Sequence, residues 1–100
     1  MRQIYTVKQT REFAAWFRGL KDKTMRSRIV ARIERLQLGN FGDAKSVGGG
    51  VSELRLAFGP GYRIYFARVG DAVVMLLCGG DKASQARDID HARALATELE

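Results

Sequence analysis

Residues 53–65 read ELRLAFGPGYRIY, and this stretch decides the fold. Leu54, Leu56 and Phe58 alternate with Glu53, Arg55 and Ala57, the two-residue period of a strand with one buried face. Gly59-Pro60-Gly61 supplies a turn. Beyond it Ile64 and Phe66 stand opposite in parity to Arg63 and Tyr65. The pattern predicts strands over residues 51–58 and 62–69, paired antiparallel. Setting Leu54 and Leu56 against Ile64 and Phe66 on the core side forces Arg55 and Arg63 onto the other face, as direct or diagonal neighbours. Glu53 shares that face and partly offsets the repulsion between the two arginines.

Working outward, Gly70-Asp71 turns the chain and residues 72–78 (AVVMLLC) are apolar throughout, which predicts a central strand covered on both sides. Gly79-Gly80-Asp81-Lys82 ends it. Ser84 is the predicted cap of a last helix whose inner positions are Ile89, Ala92, Ala96 and Leu99. Upstream, residues 39–50 (GNFGDAKSVGGG) read as a glycine-rich loop. Before it lie two amphipathic helices. Thr10 caps the first, with Phe13, Trp16, Phe17 and Leu20 on its apolar stripe and Gly19 at its end. Asp22 caps the second, with Met25, Ile29, Ile33 and Leu36, and it stops at Gly39-Asn40. The short link between them predicts a hairpin. Residues 2–7 form a first strand. The predicted order is β-α-α-β-β-β-α, an α+β fold in which a helical hairpin packs on an antiparallel sheet, one domain over residues 1–100.

The chain has 100 residues, 46% of them hydrophobic and one of them proline, as expected of a packed core and not of a disordered segment. Its net charge is +6, which suits a polyanionic partner. The charge is uneven: residues 1–45 carry 11 Lys/Arg against 4 Asp/Glu, whereas residues 46–100 carry 6 against 7. One cysteine, Cys78, excludes an internal disulfide; set in an apolar run, it reads as a buried, inert thiol. With no signal-peptide stretch and no segment near the ~20 apolar residues needed to span a bilayer, a cytoplasmic protein without a membrane partner is expected.

Two readings of Arg55 and Arg63 stand open: a solvated outer sheet face, or a phosphate clamp, since a guanidinium matches phosphate oxygens in a planar fork. Lys82, just past the central strand, adds a third positive charge at the margin of the clamp, and Lys45 approaches from the glycine loop. Tyr65 shares the face of Arg63 and is a candidate to stack on a base, while Tyr62 falls on the apolar side. Arg26, Arg28, Arg32 and Arg35 lie largely off the apolar stripe of the second helix. They read either as a solvated face or as a broad contact for RNA or DNA, with Arg26 and Arg32 the named candidates. His91 is the one histidine and, with one cysteine, makes no zinc site; no metal or cofactor is expected. The glycines of VGGGV and CGGDK match neither nucleotide-loop pattern.

Together, residues 53–65, the run LLCGGDKASQARDI at 76–89 and FAAWFRGLKD at 13–22 resemble the HigB-like, addiction-module-killer branch of the RelE/ParE toxin superfamily, over nearly the whole chain. The resemblance implies a RelE-like toxin neutralised by a cognate antitoxin, in this branch commonly a helix-turn-helix protein. It implies a metal-independent endoribonuclease that cuts mRNA on the ribosome and so inhibits translation. In RelE-like proteins basic residues orient the phosphate, stabilise its developing charge and assist proton transfer while the 2′-hydroxyl attacks. By motif position these are Arg63 as clamp, Arg55 in support and Lys82 as charge stabiliser or acid, with His91 or Asp88 as base. The chain departs from the pattern at Glu53, where many such nucleases carry a second basic residue, and at Asp88, where they often carry tyrosine. The alternative within the superfamily is ParE-like inhibition of DNA gyrase by protein binding alone.

Overall fold

The computed structural model describes residues 3–99. Its elements are β1 (Thr6–Gln9), α1 (Arg11–Gly19), α2 (Lys23–Gln37), β2 (Ala44–Gly48), β3 (Val51–Arg55), β4 (Arg63–Val69), β5 (Val73–Gly80) and α3 (Gln85–Ala96), with 3-10 turns at Lys82–Ser84 and Thr97–Leu99. They build a five-stranded sheet in the order β1-β5-β4-β3-β2, with β1 parallel to β5 and the other pairs antiparallel. The α+β class is as expected, with one strand more than the predicted order and with β1 parallel to β5 where the sequence predicts a wholly antiparallel sheet.

That strand, β2, lies inside the predicted glycine loop. Gly48, Gly49 and Gly50 all have positive φ (88°, 64° and 78°), a conformation glycine adopts without strain. They close a tight return rather than a loose loop, and residues 44–48 then pair with β3 through a bulge between Ser46 and Gly48. Other boundaries move as well: the central strand, predicted to end at Cys78, runs on to Gly80. The strand predicted over 51–58 ends at Arg55, with only the Leu56 amide reaching on to the Tyr62 carbonyl (2.9 Å) before the Gly-Pro-Gly turn. The first strand, predicted over 2–7, is observed at Thr6–Gln9, and Arg2 lies outside the described residues.

Each face of the sheet has its own core. Leu54, Leu56, Ile64, Phe66, Val74 and Leu76 pack under α1 and α2 against Phe13, Ile29 and Leu36. Val51, Tyr65, Ala67, Leu77 and Cys78 pack under α3 against Ala92 and Leu95. The second face is therefore not the open surface the alternation suggested, because α3 carries enough apolar surface to cover all but its polar end. β5 serves both cores, as its uniform hydrophobicity predicts.

The β4–β5 pairing shifts register between Tyr65 and Phe66, so that Tyr65 faces Cys78 while Phe66 faces Leu76. Leu77 is the extra residue, and both it and Cys78 turn toward α3. Thr10 pins this bulge. Its hydroxyl donates to the Leu77 carbonyl (2.5 Å) and accepts from the Phe13 amide (3.0 Å), capping α1 as predicted. Downstream of the bulge, parity places Gly79 under Trp16 and Gly80 under Asp88. The last helix is entered differently from expectation. Asp81, not Ser84, accepts the amides of Ala83 and Ser84 (2.9 and 3.2 Å), and the Ser84 hydroxyl donates to the Asp88 carboxylate instead of capping α3.

A Cβ added at Gly80 meets Asp88 Cγ at 2.8 Å and Ser84 Oγ at 2.9 Å. Gly80→Ala is expected to destabilise the protein by about 1–3 kcal/mol in urea unfolding. In an Asp88→Ala background the same change should cost measurably less.

Candidate functional site

Glu53 on β3 has no solvent exposure and is the one buried charged residue among those described. Its Oε1 accepts from Arg55 Nε at 3.0 Å. Its Oε2 accepts from Tyr65 Oη at 3.1 Å and from Gln85 Nε2 at 2.8 Å, with Arg63 Nε at 3.9 Å in ion-pair range. Two strands and one helix thus converge on one carboxylate: β3, β4 and the first residue of α3. Burial alone pushes the Glu53 pKa up, but the hydrogen bonds from Gln85, Arg55 and Tyr65 and the charge of Arg63 outweigh it, and the net shift is downward. The carboxylate stays ionised. Its influence is mutual: the Glu53 hydrogen bond raises the Arg55 pKa, and burial followed by the Glu53 charge raises that of Tyr65.

Arg55 and Arg63 are direct register partners, and Arg63 in turn faces Gly80. Parity had predicted this pairing. The Arg63 side chain is 12% exposed and that of Arg55 35%. Both turn Nε toward Glu53, and the buried Arg63 Nε has no hydrogen-bond partner. Among the described residues the terminal nitrogens of neither arginine donate a side-chain hydrogen bond, so they remain to meet an anion. Lys82 is exposed at the same end of the sheet, its amide near the Pro60 carbonyl (3.4 Å) and its Cβ against Gly61. Lys45 is the register partner of Glu53 on β2 and so shares its face, exposed at the sheet edge.

On its other side Arg55 lines a cleft of about 420 Å³ with Arg28, Ala31, Arg32 and Arg35 of α2, and with Asp43, Ala57 and Phe58. Arg32 is thereby joined to the site. Arg26 is not, because two residues are 200° on a helix and leave it roughly 160° round from Arg28, on the opposite flank of the buried seam. Tyr65 also departs from expectation: fully buried with its hydroxyl on Glu53, it offers no face to a base. Asp88 sits beside the cluster over Gly80, but with one oxygen held by Ser84 it positions the start of α3 and is not a free base. His91 is exposed on α3 and makes none of the cluster's hydrogen bonds. Cys78 is buried as predicted, its pKa pushed up to about 12 by burial and the charge of Asp88. Sequence reasoning missed Gln85 and Gly80. Gln85 meets Glu53 across 32 residues with no periodic signal, and the bulge in β5 disguises the parity of Gly80. Among the described residues no group of three or more His, Cys, Asp or Glu is placed to hold a metal, and no helix is long and apolar enough to cross a membrane.

Residues 15–98 match the family model of phage-derived Gp49-like proteins (DUF891). The chain belongs to the Gp49-like family. A relative in Haemophilus influenzae, an uncharacterized protein, is 50% identical over 93 residues, covering 93% of this chain and 94% of its own. The Gp49-like fold is shared with a double Arg-to-Ala variant of the E. coli toxin RelE in the free state, with a TM-score of 0.75 and 15% identity over 98% of this chain and all of that one. It is also shared with a chain of the intact E. coli RelBE toxin–antitoxin complex, with a TM-score of 0.62 and 20% identity over 77% of this chain and 95% of that one.

Removing the Glu53 carboxylate from this Gp49-like protein strands the donors of Tyr65, Gln85 and Arg55 and leaves two facing arginines uncompensated. Glu53→Ala is expected to cost about 3 kcal/mol in chemical denaturation, the low end for a buried pair because Arg55 is partly solvated. A depressed native pKa gives stability that is complete above the ordinary value of 4.5 and is lost as pH falls through the native one. Wild-type Tm should therefore drop more steeply on acidification below about pH 4.5 than that of Glu53→Gln.

Proposed function

We propose that this Gp49-like protein is the toxin of a toxin–antitoxin pair, of the HigB-like branch, and that it arrests translation by cutting mRNA on the ribosome. The observation that carries the reading is the Arg55–Arg63 pair, with each Nε turned to Glu53 and the terminal nitrogens unengaged. Two forks preset on adjacent strands match the non-bridging oxygens of a phosphodiester. Because the guanidiniums are already oriented, little reorganisation accompanies the reaction, which is where electrostatic catalysis gains most.

In the proposed reaction the ribose 2′-oxygen attacks the adjacent phosphorus and its proton passes to a base. The bond to the 5′-oxygen breaks, and that oxygen takes up a proton as it leaves. Arg63, the more buried cation, clamps the phosphate where the low dielectric strengthens its field. Arg55 supports it from the exposed side. Lys82 neutralises or protonates the leaving oxygen, Lys45 steadies the strand at the sheet edge, and the exposed imidazole of His91 is the remaining candidate base. The likeness to RelE and to the RelBE complex supports a cognate antitoxin as partner, of the helix-turn-helix type in this branch, in the cytoplasm where ribosomes are found.

One observation favours a second reading, gyrase inhibition by binding without catalysis. Both carboxylates of the site, Glu53 and Asp88, are engaged and so unavailable as bases. An unchanged rate of supercoiling by gyrase at excess protein removes that option.

Arg63→Lys keeps the charge facing Glu53 and deletes the fork. It should lower mRNA cleavage on programmed ribosomes by about 100-fold or more and abolish growth arrest, with an unchanged circular dichroism spectrum. Cleavage at the wild-type rate would contradict the site assignment.

A further inference from the structure

The cleft between α2 and the end of β3 holds four arginines, Arg28, Arg32, Arg35 and Arg55, against one carboxylate, Asp43. Both ion pairs among the described residues belong to Glu53, so the three α2 arginines are without an acidic partner there. They recur at i, i+4 and i+7, one stripe of the helix turned to the cleft. Arg32 donates to the Phe41 carbonyl at 3.2 Å, which fixes its guanidinium against the wall. Burial, and then the neighbouring charge of Arg35, lower its pKa against the opposing pull of Asp43. Arg28 stacks over the Phe58 ring at 5.6 Å and gives the cleft an apolar floor with a charged lid. Its volume of about 420 Å³ is that of a nucleotide-sized site.

We infer that this cleft is a second phosphate site, which holds single-stranded RNA next to the Arg55–Arg63 pair and reads its backbone without regard to sequence. Arg55 belongs to both sites, so one strand runs from the Arg63 clamp across Arg55 to the α2 stripe. The inference deepens the reading of this protein as RNA-binding and needs that reading, but it does not need cleavage. An acidic protein segment is the competing occupant. RNA is favoured because the cations continue as a track from the phosphate clamp and present planar forks at successive positions.

The test is binding of a fluorescein-labelled 2′-O-methyl RNA octamer, whose blocked hydroxyls cannot attack, followed by anisotropy across a range of KCl concentrations. Arg28→Ala and Arg35→Ala each remove an exposed side chain and should leave the fold intact. Each is expected to reduce the slope of log K against log[KCl] by about 0.7, the value of one phosphate contact on a single strand. Arg11→Ala makes the same change of net charge on α1, which packs over β5, and should leave the slope unchanged. Unaltered slopes in both cleft variants, or an equal loss in Arg11→Ala, would overturn the inference. So would a poly-glutamate peptide that displaces the octamer as well as unlabelled RNA of equal charge does. Because binding is read on uncut RNA, failure of the nuclease reading on ribosomes is a separate result from failure here.

Discussion

Two guanidinium groups brought into direct register on neighbouring strands repel each other, and the site depends on the carboxylate set between them. Arg55 Nε lies 3.0 Å and Arg63 Nε 3.9 Å from the Glu53 carboxylate, close enough for each attraction to count, most of all on the buried Arg63 side. Glu53 contributes two attractive terms against one repulsive term, and its desolvation is offset by donors from Arg55, Tyr65 and Gln85. The cluster keeps one net positive charge. The glutamate accepts from the Nε of Arg55 and faces that of Arg63, and leaves the terminal nitrogens for a ligand. An acid beside a phosphate site would otherwise oppose binding; buried and fully engaged, this one sets the geometry of the cations that bind.

The rest of the fold can be understood as holding that arrangement. The β3–β4 register makes the two arginines neighbours, and the hydrophobic alternation on the opposite face locks the register, since a slip by one residue would bury Arg55 under α2. The bulge at Leu77 sends Gly80, the register partner of Arg63, toward α3, and the missing Cβ there admits Asp88 over the strand. The Asp81 cap starts the turn that delivers Gln85 to Glu53. α2 buries one seam on the sheet and turns a stripe of arginines to the neighbouring cleft, so Arg55 is shared between a sealed cluster and an open basic surface.

Much of this was legible in the sequence where the chemistry is periodic. Alternation around Gly59-Pro60-Gly61 places Leu54, Leu56, Ile64 and Phe66 on one face and Arg55 and Arg63 on the other, and helical spacing identifies Phe13, Ile29 and Leu36 as core. Legibility failed where an aperiodic residue decides the outcome. Three positive-φ glycines look like a loop and make a hairpin return, which hides β2. α3 covers the second face chiefly through Ala92 and Leu95, and Leu95 lies beside the predicted stripe of Ile89, Ala92, Ala96 and Leu99 and not on it. Tyr65 carried the parity of a surface residue, yet the helix above and the acid beside it make it core. Glu53 looked like a defect in a basic site because its partners come from 2, 12 and 32 residues away, and only the last two require the fold.

The central claim is that Glu53 remains an anion, held by the donors around it. A carbon-detected NMR titration of its side-chain carboxyl in the folded protein tests this directly. A midpoint below the ordinary value of 4.5 is expected, with the Tyr65 and Gln85 side-chain signals moving in the same transition. A midpoint above that value would mean that burial dominates, that the residue is neutral near its ordinary range, and that the arginine pair is not held by charge.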